Sequence, residues 1–224
     1  IVSNTVQAKY SPGGANILMI GHHPEKNHKA GMFAISGNLI GSQETNVNLI
    51  ACRGVVVSGN IIYSGHHRNL QVDGSRNIVI GQNTFDHNPD YEPNQLCTGI
   101  RLTDSYNCIF NGSIIQDCQS GQHTVPESKP IIRNGLLEII NCQRINVNGC
   151  QILDGYPNGI YVDKSKDVIV SGCNILDTRK EPKTEFAVQW TGTGSGNFLT
   201  NNRLQKQVEI DLDSGVQQTN NMFG

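Results

Sequence analysis

The segment Val55-Val-Val-Ser-Gly-Asn60-Ile-Ile returns along this chain, each time slightly altered. It is found again as Phe33-Ala-Ile-Ser-Gly-Asn38-Leu-Ile, Ile78-Val-Ile-Gly-Gln-Asn83-Thr-Phe and Cys108-Ile-Phe-Asn-Gly-Ser113-Ile-Ile. Two later copies are Ile145-Asn-Val-Asn-Gly-Cys150-Gln-Ile and Val168-Ile-Val-Ser-Gly-Cys173-Asn-Ile. Self-similarity at a spacing of roughly 20 to 50 residues marks a solenoid, in which each unit buries its apolar side only by stacking on the next. Every unit here is a strand, a tight Gly or Asn turn and another strand, so the stacked element is β. A hydrophobic content of 37 % is low for a globular domain but sufficient for so narrow a stack.

Laying the copies in register predicts three strands per coil and therefore an all-β parallel β-helix of roughly eight coils, one domain over residues 1–224. The first strand carries Val47-Asn-Leu-Ile50, Leu70-Gln-Val-Asp73, Ile100-Arg-Leu-Thr103, Leu137-Glu-Ile-Ile140 and Ile160-Tyr-Val-Asp163. Alternation places the first and third residue of each quartet inside and the other two outside. A short polar turn follows, with Cys52, Ser75, Ser105, Cys142 and Ser165 at its second position. The second strand runs into Gly59, Gly112, Gly149 and Gly172, which suit a left-handed bend. The next column is Asn38, Asn60, Asn83, Ser113, Cys150 and Cys173. With coils about 4.8 Å apart, each Asn amide reaches the next Asn carbonyl, and the ladder is expected to be interrupted at the Ser and Cys rungs. Two long turns, Asp86 to Gly99 and Asp117 to about Gly135, should wall a groove along the first-strand face. Asp177 to Glu185 reads as a solvated charged loop, and Val208–Leu212 as the last strand.

Composition excludes several roles. A net charge of −2 with 16 % charged residues supplies no overall basic field for nucleic acid. No apolar run reaches the length of a membrane span. The opening at Ile1, without Met or a signal-like segment, is expected of a processed product or a piece of a longer chain. Seven cysteines leave at least one without an intrachain partner, and Cys97 with Cys118 is the one pair that flanks a common coil. No Cys-x-x-Cys pair offers a zinc site.

These repeats, over about Asn16 to Leu204, resemble the right-handed parallel β-helix proteins of the pectate-lyase-like superfamily. The resemblance implies a secreted or cell-envelope protein that cuts or binds polysaccharides on its first-strand groove. It does not carry an activity across. The Arg-x-Pro-x-x-Arg stretch of pectate lyases is absent. Of the Asn-Thr-Asp, Asp-Asp, Gly-His-Gly and Arg-Ile-Lys segments of polygalacturonase-like hydrolases, the nearest matches are Gly21-His-His and Gly65-His-His.

The residues themselves leave three readings of that face open. Its outward column is Asn48, Gln71, Arg101, Glu138 and Tyr161, and its companion is Ile50, Asp73, Thr103, Ile140 and Asp163. A lyase needs a base for the proton α to a carboxylate and a cation for the resulting charge, roles open to Tyr161 or a histidine and to Arg101. A hydrolase needs two carboxylates, and Glu138 and Asp163 would lie about 8 Å apart, within the inverting range. The third reading is a solvated face with an Arg101–Glu138 ion pair. His66 and His123 are the histidine candidates for catalysis, while Asp73, Gln71, His87 and Tyr91 are candidates for holding substrate. No metal or cofactor is required, although Asp117, Asp154 and Asp177 form a column that would hold calcium if it did not bind turn amides. The expected partner is a polysaccharide or oligosaccharide. The alternatives are a non-catalytic carbohydrate-binding or structural β-helix and, requiring apolar outward columns, a trimeric spike.

Overall fold

The structure, a computed structural model, describes residues 1–21, 31–87, 99–117 and 133–224. Its strands wind into a right-handed parallel β-helix whose three sheets have eight, eight and nine strands among the described residues. The first sheet stacks Ala15–Ile20, Thr45–Ile50, Arg68–Asp73, Ile100–Thr103, Leu137–Ile140, Ile160–Asp163, Val188–Thr191 and Val208–Ile210. In the central coils the second sheet's strands open after a two-residue bend, as at Arg53–Ser58 and Tyr106–Asn111, and the third sheet holds the short strands such as Ile61–Tyr63. Every pairing is parallel and joins one coil to the next. The predicted alternation holds: Val47, Leu49, Leu70, Val72, Ile100, Leu102, Leu137 and Ile139 are all buried. Inward residues of all three sheets meet in one continuous core, which includes Trp190 and the Phe85–Phe110 ring pair.

The turns hold the stack in register. Asn38 Nδ2 donates to Asn60 Oδ1 at 2.9 Å, and Asn60 Nδ2 to Asn83 Oδ1 at 3.0 Å. The ladder does not break where the sequence changes. Asn83 N donates to Ser113 Oγ at 3.2 Å, and the Cys150 and Cys173 thiols face the carbonyls of Phe110 and Val147, as Asn60 faces that of Ile35. Beyond them Cys173 N returns to an Asn acceptor, Asn202 Oδ1. A hydroxyl or thiol fills the same small volume and still meets buried backbone groups, so the expected interruption is one of residue type only. The Ser/Cys column is a second ladder, with Cys52 N on Ser75 Oγ, Ser75 N on Ser105 Oγ and Cys142 N on Ser165 Oγ.

Two expectations are corrected. The charged loop after Asp177 is not wholly solvated: Arg179 turns inward, 6 % exposed, because it binds Asp177 through Nε at 2.8 Å and Nη2 at 2.7 Å. The solenoid continues past residue 212, through Val216–Thr219 and Met222–Phe223. Exposed aliphatics stand at Leu18 and Ile20 on the first sheet, in the column Val56, Val79 and Ile109 on the second, and at Leu39, Ile61 and Ile114 on the third, with Thr84 between the last two. The Asp117, Asp154 and Asp177 column is buried and engaged. Arg133 pairs with Asp117, Thr178 N and Gln116 Nε2 donate to Asp154, and the Lys183 and Thr184 amides donate to Asp177. Asp177 follows the expected pattern of binding its own turn's amides. Cys97 and Cys118 lie outside the described residues. The thiols of Cys52, Cys108, Cys142, Cys150 and Cys173 are free.

Two stability predictions follow from these contacts. Asn60→Ala strands the Asn38 amide and two carbonyls, so it should cost at least about 2 kcal/mol in urea unfolding, whereas Asn60→Ser, which copies the Ser113 rung, should cost less. Burial by itself would raise the Asp177 carboxyl, but Arg179, Thr184 and Lys183 outweigh burial and hold it below the usual carboxylate range. Its stabilising effect is therefore complete above about pH 4 and lost as pH falls toward the depressed folded value. Acid unfolding curves should flatten in Asp177→Asn, and Arg179→Ala should lower stability at neutral pH by about 3–5 kcal/mol.

Candidate functional site

The outward face of the first sheet carries the two predicted columns in the predicted register. Gln71, Arg101, Glu138 and Tyr161 are successive partners, as are Asp73, Thr103, Ile140 and Asp163. One further strand extends both columns, with Gln189 beside Tyr161 and Thr191 beside Asp163. Thr191 closes a hydrogen-bonded chain that sequence reading missed. Its hydroxyl and that of Tyr161 are 2.9 Å apart, and its Oγ1 lies 3.1 Å from Asp163 Oδ1. With Thr191 donating to Asp163, the Tyr161 hydroxyl is free to donate to Thr191. The sequence carries a signal for it, since Val188-Gln-Trp-Thr191 aligns with Ile160-Tyr-Val-Asp163. Gly192 holds the chain close, since a Cβ there would fall 2.7 Å from Asp163 Oδ1.

Glu138 has a different surrounding from the one expected. It is 2 % exposed, and its Oε2 accepts from Arg68 Nη2 at 2.9 Å while Oε1 accepts from Asn134 N at 2.9 Å. The ion pair is thus made by Arg68, which reaches across one coil, and not by Arg101. Arg101 instead lies along its own strand, with Nε on Thr103 Oγ1 at 3.2 Å. Glu138 and Asp163 keep the diagonal relation that gives about 8 Å, but both Glu138 oxygens are occupied and shielded from solvent. Asp73, two residues beyond Gln71 on the same strand, has its carboxyl raised by burial and then by neighbouring Asp104, with Arg101 partly offsetting both.

His66 stands apart from this group, and His87 is buried. His66 packs on Tyr10, ring centroids 4.8 Å apart, and its amide binds Gln43 O on the preceding coil. Burial first, then His67, pushes its imidazole below the usual range. His66 sits on the coil of Gln71, three coils or about 14 Å along the axis from Tyr161. His87 is 6 % exposed, with Nδ1 3.0 Å from Asp86 Oδ1 but without hydrogen-bond alignment. His123 and Tyr91 lie outside the described residues. Among those described, no group of three or more His, Cys, Asp or Glu is arranged to hold a metal ion, and no helix is long and apolar enough to cross a membrane.

The Arg68–Glu138 pair makes a specific prediction. Glu138→Ala leaves a buried guanidinium uncompensated and should destabilise by about 3–5 kcal/mol, while replacing both partners by Met should recover much of that loss. Thermal unfolding of the two single variants and the double variant measures the coupling.

Comparison with known proteins matches the fold. A protein of Geobacillus virus E2, ORF18, superposes with a TM-score of 0.54 at 12 % identity, over 98 % of this chain and 46 % of that one. The chain therefore spans about half the length of that relative. The A-module of the Azotobacter vinelandii mannuronan C-5 epimerase AlgE4 superposes at a TM-score of 0.45 and 9 % identity, over 87 % of this chain and 54 % of that one. No curated protein matches in sequence. Residues 12–175 match the family described as the right handed beta helix region, and the chain belongs to that family.

Proposed function

We propose that this chain binds an acidic polysaccharide along the first-sheet face and cleaves it by β-elimination. The observation that carries this reading is the Tyr161–Thr191–Asp163 chain on a half-exposed face, with Arg101 two coils away. In the proposed step, Tyr161 passes its phenolic proton through Thr191 to Asp163 and takes the proton α to the sugar carboxylate. The electron pair of that C–H bond becomes a C4–C5 double bond, the C4–O4 bond breaks, and the leaving oxygen takes a proton from water. Arg101 would hold the carboxylate and stabilise the charge that builds on it, and Gln71 and Asp73 would contact sugar hydroxyls on the next coil. Elimination is favoured over hydrolysis because Glu138, the second acid a hydrolase would need, has both oxygens committed to Arg68 and Asn134. A secreted or envelope location, where such polymers occur, accords with this role.

The test is ultraviolet absorbance of unsaturated product from a panel of uronate-containing polymers. Tyr161→Phe and Arg101→Ala should each lower turnover about 10²–10⁴-fold, and Asp163→Asn should lower it less, with melting temperatures unchanged. Release of reducing ends without absorbance would move the reading to hydrolysis. Binding without either signal would favour the non-catalytic carbohydrate-binding alternative.

A further inference from the structure

The polar quartets after the first strand contain more than a turn. Their third residues, Arg53, Arg76, Tyr106, Gln143 and Lys166, open the strands of the second sheet and are partners coil by coil. Their fourth residues, Gly54, Asn77, Asn107, Arg144 and Asp167, all have φ between 54° and 62°. A left-handed residue at a strand's second position breaks the inside–outside alternation, so two consecutive side chains face solvent. Arg76 with Asn77, Tyr106 with Asn107, and Gln143 with Arg144 are accordingly half-buried or exposed pairs, followed by buried Ile78, Cys108 and Ile145. The result is a polar strip two residues wide that runs along the axis for about 19 Å from Arg53 to Lys166.

This strip concentrates positive charge on a chain whose net charge is −2. Arg53, Arg76, Arg144 and Lys166 lie on it, with exposed Lys164 in the adjoining turn, against the carboxylates of Asp104 and Asp167. Tyr106 organises two of the cations. Arg76 Nη1 donates to its hydroxyl at 3.0 Å, and the Arg144 guanidinium lies 5.8 Å from its ring centroid while Arg144 Nε donates to Asn107 Oδ1 at 2.6 Å. Guanidiniums fixed in this way lose less freedom when an anion binds. Asn107 Nδ2 in turn donates to Asn77 Oδ1 at 3.1 Å, which ties the coils together beneath them.

We propose that this strip is a second binding site, for the carboxylate or sulfate groups of a linear anionic polysaccharide. It lies around the turn from the Tyr161 face and does not depend on the elimination reading. Cations on four of five consecutive coils, within a strip two residues wide, suit a linear polymer that presents anions at intervals along its axis. A single-stranded nucleic acid would need free aromatic faces for its bases, and the one ring here is covered by Arg144.

The experiment measures binding of the full chain to polygalacturonate, dextran sulfate, neutral dextran and a single-stranded oligonucleotide across a salt series. Arg76→Gln combined with Arg144→Gln should weaken binding to one or both anionic polysaccharides about tenfold or more and make the salt dependence shallower. Turnover on short oligosaccharides should be unchanged. The preferred polymer separates carboxylate from sulfate recognition. Arg53→Gln with Lys166→Gln, at less tied positions, gives the same reading if the first pair fails to fold. Tyr161→Phe should retain strip binding even where turnover is lost, so failure of one proposal is distinguishable from failure of the other. Unchanged affinity and salt slope in folded variants, equal binding of neutral dextran, or tighter binding of the oligonucleotide would overturn the proposal.

Discussion

The structure depends on the distance between coils. Backbone pairing in a parallel sheet sets neighbouring strands about 4.8 Å apart, and this spacing is short enough for a side chain at a turn to bond its copy one coil away. Asn38, Asn60 and Asn83 use amides for this and Ser75, Ser105 and Ser165 hydroxyls, while the Cys150 and Cys173 thiols meet backbone carbonyls of the preceding coil. These groups meet the backbone donors and acceptors that three bends per coil would otherwise leave unpaired inside the stack. Because the requirement is geometric, residue type can vary while the contact persists. The same spacing converts a one-dimensional repeat into columns on the outer surface, and both proposed binding faces are such columns.

The buried charges obey the same constraint at longer reach. Arg68 spans one coil to hold Glu138, and Arg179 folds back onto Asp177 within its own turn. An ion placed inside a solenoid this narrow has few partners, so each pair is specific and costly to break singly. This shapes the first-sheet face. With Glu138 out of solvent, Asp73, Arg101, Tyr161 and Asp163 are the half-exposed ionisable groups of its middle coils, and Thr191 links the latter two. The outward aliphatics Val56, Val79 and Ile109 belong to a different face and leave the polar columns undisturbed.

Much of this was legible in the residues. The repeated Ser-Gly-Asn segment located the strands, their register and the inward faces, because side-chain alternation and coil spacing are both local regularities. It also placed Gln71, Arg101, Glu138 and Tyr161 in one column. The partner of Glu138 was not legible, since alternation assigns a side chain to a face but does not say how far it leans along the axis. Arg68 precedes the quartet that defines the repeat, so the register gave it no role. Thr191 was hidden for a simpler reason, namely that its coil departs from the Gly-Asn turn that marks the others.

The solenoid, its three sheets and the sharing of columns follow from a period and a strand spacing that are written in the residues and that no distant contact can alter. Which column members face solvent, and which are consumed by one another, is settled in the folded stack. That outcome turns on long side chains crossing coils and on left-handed residues such as Asn107 and Arg144, which place two neighbours on the outside where alternation predicts one. Those choices are made by packing between coils, and a single coil read alone contains no record of them.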